Sequence, residues 1–147
     1  MNTPPHLDLL NVILPIVVAG LFIAALSLMR EPNRRHLSAL FIAGAGATYF
    51  GGSFGFWEVG FCALLTWLAF KALTNYRFAG LGWLLHSAWD LLHHLYGRPI
   101  LPFVPLSSAG CAICDAGIAI WYFLGAPSVF GRSNSDLGDS QPNLNSD

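Results

Sequence analysis

The stretch Phe78-Ala-Gly-Leu-Gly-Trp-Leu-Leu-His-Ser-Ala-Trp-Asp-Leu-Leu-His-His-Leu-Tyr96 decides how this chain is read. Stepped at about 100° per residue, Ala79, Gly82, Trp83, His86, Asp90, His93, His94 and Gly97 share one face of a helix. Leu81, Leu84, Leu85, Ala88, Leu91, Leu92 and Leu95 cover the opposite face. A charged group at the centre of a bilayer costs several kcal/mol by most scales, about 2.5 or more, so ionisable residues there face the bundle and find partners. The leucine face suits lipid and the histidine face does not. The stretch therefore predicts a transmembrane helix whose polar stripe looks into a helical bundle.

The rest of the chain agrees with this reading. Hydrophobic residues make up 54% of the chain and charged ones 10%, whereas soluble domains carry about 25% charged residues. A bilayer crossing takes roughly 20 apolar residues, and 147 residues leave room for five crossings, short loops and a tail, with no separate soluble domain. The predicted fold is all-α, a polytopic transmembrane bundle in one domain over 1–127. Its spans fall at about 9–29, 37–52, 56–73, 78–96 and 106–124.

Polar or proline-containing connections separate these spans: Arg30 to His36, Thr74 to Arg77, and Gly97 to Pro105. Pro15 inside the first span is tolerated in a membrane helix, and Gly125-Ala126-Pro127 closes the last one. Residues 128–147 are predicted to be a disordered polar tail. Asp8 precedes the first span without any Lys or Arg, so that span is expected to be retained and not cleaved as a secretory signal.

Arg30, Arg34, Arg35, Lys71, Arg77 and Arg132 all fall on one side of a five-span chain and Arg98 on the other. The positive-inside rule then puts the N-terminus outside and the C-terminus in the cytoplasm. A four-span chain, with a re-entrant second segment, would scatter the same charges over both faces. A multi-pass protein of the bacterial inner membrane is the expected location, with the lipid bilayer as its partner.

No basic cluster interleaved with aromatics is present, which argues against nucleic acid as a partner. Cys62, Cys111 and Cys114 all lie in apolar segments, so no disulfide framework is expected. Ala39, Ala43, Ala47, Gly51 and Gly55 recur every four residues, a small-residue stripe that admits a close helix neighbour. That neighbour is expected within the same chain, with a homo-oligomer as the alternative.

The fourth span needs polar partners, and two other spans supply them. Ser107, Ser108, Cys111, Asp115 and Tyr122 share a face of the fifth, and Glu58, Cys62 and Thr66 are helically spaced on the third. At about 1.5 Å rise per residue, His86 and Asp115 are expected near mid-membrane, with Asp90, Cys111 and Cys62 slightly further out. His93, His94 and Glu58 are expected about 10 Å outward from the centre.

Imidazole and carboxylate groups at i, i+4 and i+7 can converge on one ion, and Zn or Fe accepts such mixed ligands. His86, Asp90, His93, His94, Glu58 and Asp115 are therefore candidate ligands of a transition metal. Two other readings stay open on the same residues. They could relay protons in a small-solute carrier, since intramembrane Asp, Glu and His commonly do so. They could also pair with one another and fix helix register in a structural or assembly protein. Nothing in the sequence fixes a catalytic residue or establishes an enzyme.

The segment from Gly82 to His94, followed by Arg98-Pro99 and Cys114-Asp115, resembles a family of small bacterial integral membrane proteins of unknown function. The resemblance runs from about Arg34 to Gly125. It implies a membrane location and no particular activity.

Overall fold

Local chemistry sets the boundaries of five helices in the computed structural model, which describes residues 8–50 and 52–131. They are α1 (Leu9–Ser27), α2 (Asn33–Gly46), α3 (Phe56–Ala72), α4 (Tyr76–Tyr96) and α5 (Ser107–Phe123). There is no strand among the described residues. Asn75 caps α4: its side-chain oxygen accepts from the Arg77 N–H at 2.9 Å, satisfying one of the free amides of the first turn. At the other end of α5, Gly125 (φ +88°) donates to the Tyr122 carbonyl and Ala126 to the Trp121 carbonyl, both at 3.0 Å. That pair of bonds is a Schellman motif, the stop that Gly125 predicts.

The centre of the bundle is α4, which packs chiefly on α5 and also on α3 and α2. The other main contacts are α2 on α3 and α1 on α5. The apolar core runs through Leu26, Ile42, Leu65, Leu68, Trp83, Ile118 and Tyr122, all buried.

Among the described residues one helix, α1, is long and apolar enough to cross a membrane by length and composition; its best window has mean hydropathy 2.7 and is 11% buried within the protein. The helix α5 is apolar but shorter. The stripe of histidines and Asp90 makes α4, the longest of the five, less apolar than its length alone suggests.

Five basic residues gather at one end of the bundle. There, Arg34 donates to Glu31 at 3.1 Å and to the Tyr76 hydroxyl at 3.1 Å, and Arg35 Nη1 donates to the Thr74 carbonyl at 3.4 Å. The Tyr76 hydroxyl donates to Glu31. Burial works to raise the Glu31 carboxyl, but the hydrogen bonds from Tyr76 and Arg34 and the charges of Arg34 and Arg35 outweigh it and hold the group below its usual value. Arg30, Lys71 and Arg77 flank the same connections, whereas Arg98 follows the opposite end of α4. Ser128 donates to the Ser27 carbonyl at 3.4 Å, which brings the end of α5 to the end of α1. Arg132 and the rest of the predicted tail from 132 on lie outside the described residues.

The second segment differs from its predicted extent. The helix α2 stops at Gly46 instead of running to 52, and 47–50 form turns in which Ala47 donates to the Gly44 carbonyl and Thr48 to the Ala45 carbonyl. Gly44 and Gly46 lower the helix propensity of this turn by about 1 kcal/mol each relative to alanine, which lets the tighter bonds win.

The four-residue repeat of small residues consequently does not lie on one helix. Ala39 is buried and Ala43 half-buried on α2, Ala47 is exposed just past its end, and Gly55 is exposed in front of α3 at φ +57°. Gly51 lies outside the described residues. The close approach of α2 to α3 is made at Gly46, where a Cβ would stand 2.9 Å from Leu65 Cβ and 3.3 Å from Cys62 Cα.

Candidate functional site

His86 and Asp90 sit one turn apart on the inward face of α4, opposite Asp115 of α5. His86 Nδ1 lies 2.7 Å from Asp115 Oδ2 and 3.2 Å from Asp90 Oδ2. All three residues are buried, Asp90 completely. Their register follows from the helical repeat: positions i and i+4 of α4 stack on one face, and the extensive α4–α5 contact sets Asp115 against them.

The polar atoms of this cluster can be accounted for one by one. His86 Nε2 lies 2.9 Å from the Ala45 carbonyl and 3.4 Å from Thr48 Oγ1. The Thr48 hydroxyl gives its own proton to that same carbonyl at 2.7 Å, so toward the ring it can only accept. A ring nitrogen facing a carbonyl must carry the proton, which makes Nε2–H a donor to Ala45.

Nδ1 faces two carboxylate oxygens. The Tyr49 hydroxyl donates to Asp90 Oδ1 at 2.7 Å and lies 3.1 Å from Ser108 Oγ, which in turn accepts from the Ile100 N–H at 3.0 Å. Asp90 Oδ2 is left as a buried oxygen without a hydrogen-bond partner.

A second cluster lies further along α4. His93 Nε2 is 3.3 Å from Glu58 Oε1, and its Nδ1 is 3.1 Å from the Trp89 carbonyl. Glu58 also accepts from the backbone N–H groups of Gly52 at 2.7 Å and Phe54 at 3.0 Å, so it ties down the segment between α2 and α3. Its place in the first turn of α3 suits a carboxylate, which the helix dipole favours there. The His93 ring is stacked on Tyr49, centroids 3.7 Å apart, with Phe54 edge-on at 4.4 Å.

The six candidate ligands thus divide into His86, Asp90 and Asp115 in one group and Glu58 and His93 in another. His94 is half-buried and belongs to neither group. Cys62, Cys111 and Cys114 are half-buried free thiols.

Sequence reasoning missed Tyr49, Thr48 and the Ala45 carbonyl. All three come from the end of α2 or the turn after it, where a helix drawn through to 52 gives no reason to aim a side chain at α4. The one signal for them was the isolated tyrosine in the run Gly44-Ala-Gly-Ala-Thr-Tyr-Phe-Gly-Gly52, a phenol amid glycines.

Residues 10–128 match a family described as a family of unknown function, DUF6010. The chain belongs to the DUF6010 family. No curated protein and no solved structure matches it. The DUF6010 match covers more of the chain than the resemblance to a family of unknown function noted from the sequence, and every residue of both clusters falls inside it. Among the described residues of this DUF6010 chain, His86, Asp90 and Asp115 form the set with metal-ligand geometry, their donor atoms all within 4.8 Å of one another. One nitrogen and two carboxylate oxygens can hold a divalent cation or share a proton.

Proposed function

We propose that this protein is an integral membrane protein of five spans, N-terminus outside and C-terminus in the cytoplasm, that holds a divalent metal ion between His86, Asp90 and Asp115. A bacterial inner membrane fits this arrangement. Support for the membrane comes from where the two kinds of side chain lie. Glu58, His86, Asp90, His93 and Asp115 are buried, while Leu9, Phe56, Trp57 and Phe103 are each at least 75% exposed. Water would favour the opposite distribution by about 25 cal/mol for every Å² of apolar surface. A bilayer favours this one.

The observation that carries the metal reading is Asp90 Oδ2. It is a fully buried carboxylate oxygen with no hydrogen bond, and it converges with Asp115 Oδ2 on His86 Nδ1. The surroundings match those of a ligand set. Metal-binding histidines almost always donate their other N–H to a carbonyl or carboxylate, as His86 does to Ala45, and ligating carboxylates are themselves hydrogen-bonded, as Asp90 is by Tyr49. A nitrogen with two oxygens suits Zn or Fe. A metal bound there would supply Lewis acidity or an activated water.

Elemental analysis of detergent-purified protein, prepared without chelator, tests this. Near-stoichiometric Zn or Fe is expected in the native chain and in His93→Ala, and its loss in His86→Ala and Asp115→Asn. Metal-free native protein that is otherwise folded would overturn the reading.

One feature favours a second reading, in which the same atoms hold a proton. Both ring nitrogens of His86 face acceptors, and that arrangement satisfies an imidazolium without any metal. A proton-coupled carrier built on it requires a pH-dependent flux that Asp90→Asn abolishes.

A further inference from the structure

The connection between α4 and α5 does not have the chemistry of a solvent loop. Residues 99–106 read Pro-Ile-Leu-Pro-Phe-Val-Pro-Leu, without one polar side chain. Residues 101–105 are nevertheless all exposed, with Leu101 at 53%, Phe103 at 95% and Val104 at 47%. Contiguous exposed apolar side chains of this kind mark a contact surface.

The backbone of the same segment asks little of water. Pro99, Pro102 and Pro105 carry no N–H. Two serines in the first turn of α5 take the next donors: the Ile100 N–H donates to Ser108 Oγ and the Leu101 N–H to Ser107 Oγ, both at 3.0 Å. The Val104 N–H donates to the Leu101 carbonyl and the Ser107 N–H to the Val104 carbonyl, both at 2.9 Å. Internal pairing of backbone donors is what a surrounding poor in water demands.

The neighbouring helix sets the level of the segment. At Gly110 of α5 a Cβ would stand 3.4 Å from Pro15 Cγ of α1, so the two helices meet there. From that point α1 continues to Leu9, three residues further than α5, which starts at Ser107. It therefore reaches about 5 Å beyond α5, and its outermost turn, with Leu9 and Leu10 at least 70% exposed, lies at the level of the connection. With 17 residues, α5 is itself about 26 Å long and falls short of a hydrocarbon core of about 30 Å.

We infer that residues 99–106 form an interfacial anchor, lying in the headgroup–acyl boundary of the outer leaflet with Phe103 and its apolar neighbours inserted among the acyl chains. The inference rests on the membrane reading above and is independent of the metal. Segments held in that layer bury their apolar side about 5–10 Å into it. Continuity favours lipid over a protein partner: the adjoining α1 is the span that reading already surrounds with lipid, its best window only 11% buried within the protein.

Photocrosslinking of the purified full chain in vesicles of phosphatidylcholine tests the assignment. The probe is p-benzoylphenylalanine, placed in separate preparations at Phe103, at Val104 and at Leu14, which is 59% exposed on α1. After irradiation, mass spectrometry is expected to find phosphatidylcholine joined through its acyl chain at position 103, in at least a third of the yield at position 14. A lipid yield below a third of that at position 14 overturns the anchor, and so does a covalent dimer as the main product at 103, which would assign the segment to a second copy. Position 104 decides in the same way if the variant at 103 does not reconstitute. No lipid adduct at position 14 fails the membrane reading, whereas an adduct at 14 without one at 103 or 104 fails only this inference.

Discussion

Asp90 uses its two carboxylate oxygens differently. One is held by the Tyr49 hydroxyl, and the other, which makes no hydrogen bond, lies 3.2 Å from His86 Nδ1 beside Asp115. Tyr49 is thus the group that orients the carboxylate, and its ring is fixed by stacking on His93. Tyr49→Phe keeps the ring and removes only the hydroxyl, leaving Asp90 Oδ1 without its hydrogen bond. A buried acceptor left unsatisfied costs about 1–3 kcal/mol. A lower melting temperature of the detergent-solubilised variant is the expected result, and where metal is present its content should fall as well. An unchanged melting temperature would show that the phenol orients nothing.

The residues on α4 and α5 were legible because a helical period of 3.6 by itself groups His86 with Asp90 on one polar face and sets Asp115 on another, and polar faces of apolar helices turn inward. Tyr49 was not legible. A residue in a turn has no periodic face, and its aim depends on where the preceding helix stops.

That stopping point is the lesson of the second element. Composition alone marks the segment from 37 to 52 as apolar and rich in small residues, and it does not locate the end of the helix among four alanines and four glycines. The structure ends α2 at Gly46 because this residue serves two purposes: it weakens the last helical turn and lets α3 come close. Of the predicted stripe, Ala39 and Ala43 lie on α2, which packs on α3. The stripe runs through Ala39, Ala43, Ala47, Gly51 and Gly55 and leaves out Gly46, where an added Cβ would meet Leu65 and the Cys62 backbone.

Gly46→Ala puts a methyl within 2.9 Å of Leu65 Cβ and 3.3 Å of the Cys62 backbone, neither of which is the end of a flexible side chain. Overpacking of this kind costs about 1–3 kcal/mol. The expected result is a measurable loss of thermal stability, against little change for Gly44→Ala, where a Cβ meets nothing within 4 Å. Equal effects of the two substitutions would contradict the packing account.

At the scale of the molecule, the all-α architecture and its five helices were legible from hydropathy and turn residues, and the boundaries of α3, α4 and α5 fall within a residue or two of expectation. The gathering of basic residues at one end was legible too, because short connections between neighbouring helices return the chain to the same end. On the membrane reading, that asymmetry fixes orientation. A reporter fused after residue 131 is expected to read as cytoplasmic, and one inserted beside Arg98 as external. Two reporters on the same side would exclude five spans.

The bond between His86 and Asp115 joins the fourth helix to the fifth, and this bears on how the chain is made. During synthesis α4 leaves the ribosome before α5 and carries His86 and Asp90 before Asp115 has been translated, whereas Glu58, the partner of His93, is already made on α3. Lipid alone is a poor host for that stripe. On the membrane reading, the two helices therefore have reason to enter the bilayer as a hairpin, with α4 held back until its partner arrives, so that a group placed for the finished protein would also set the order of its biogenesis.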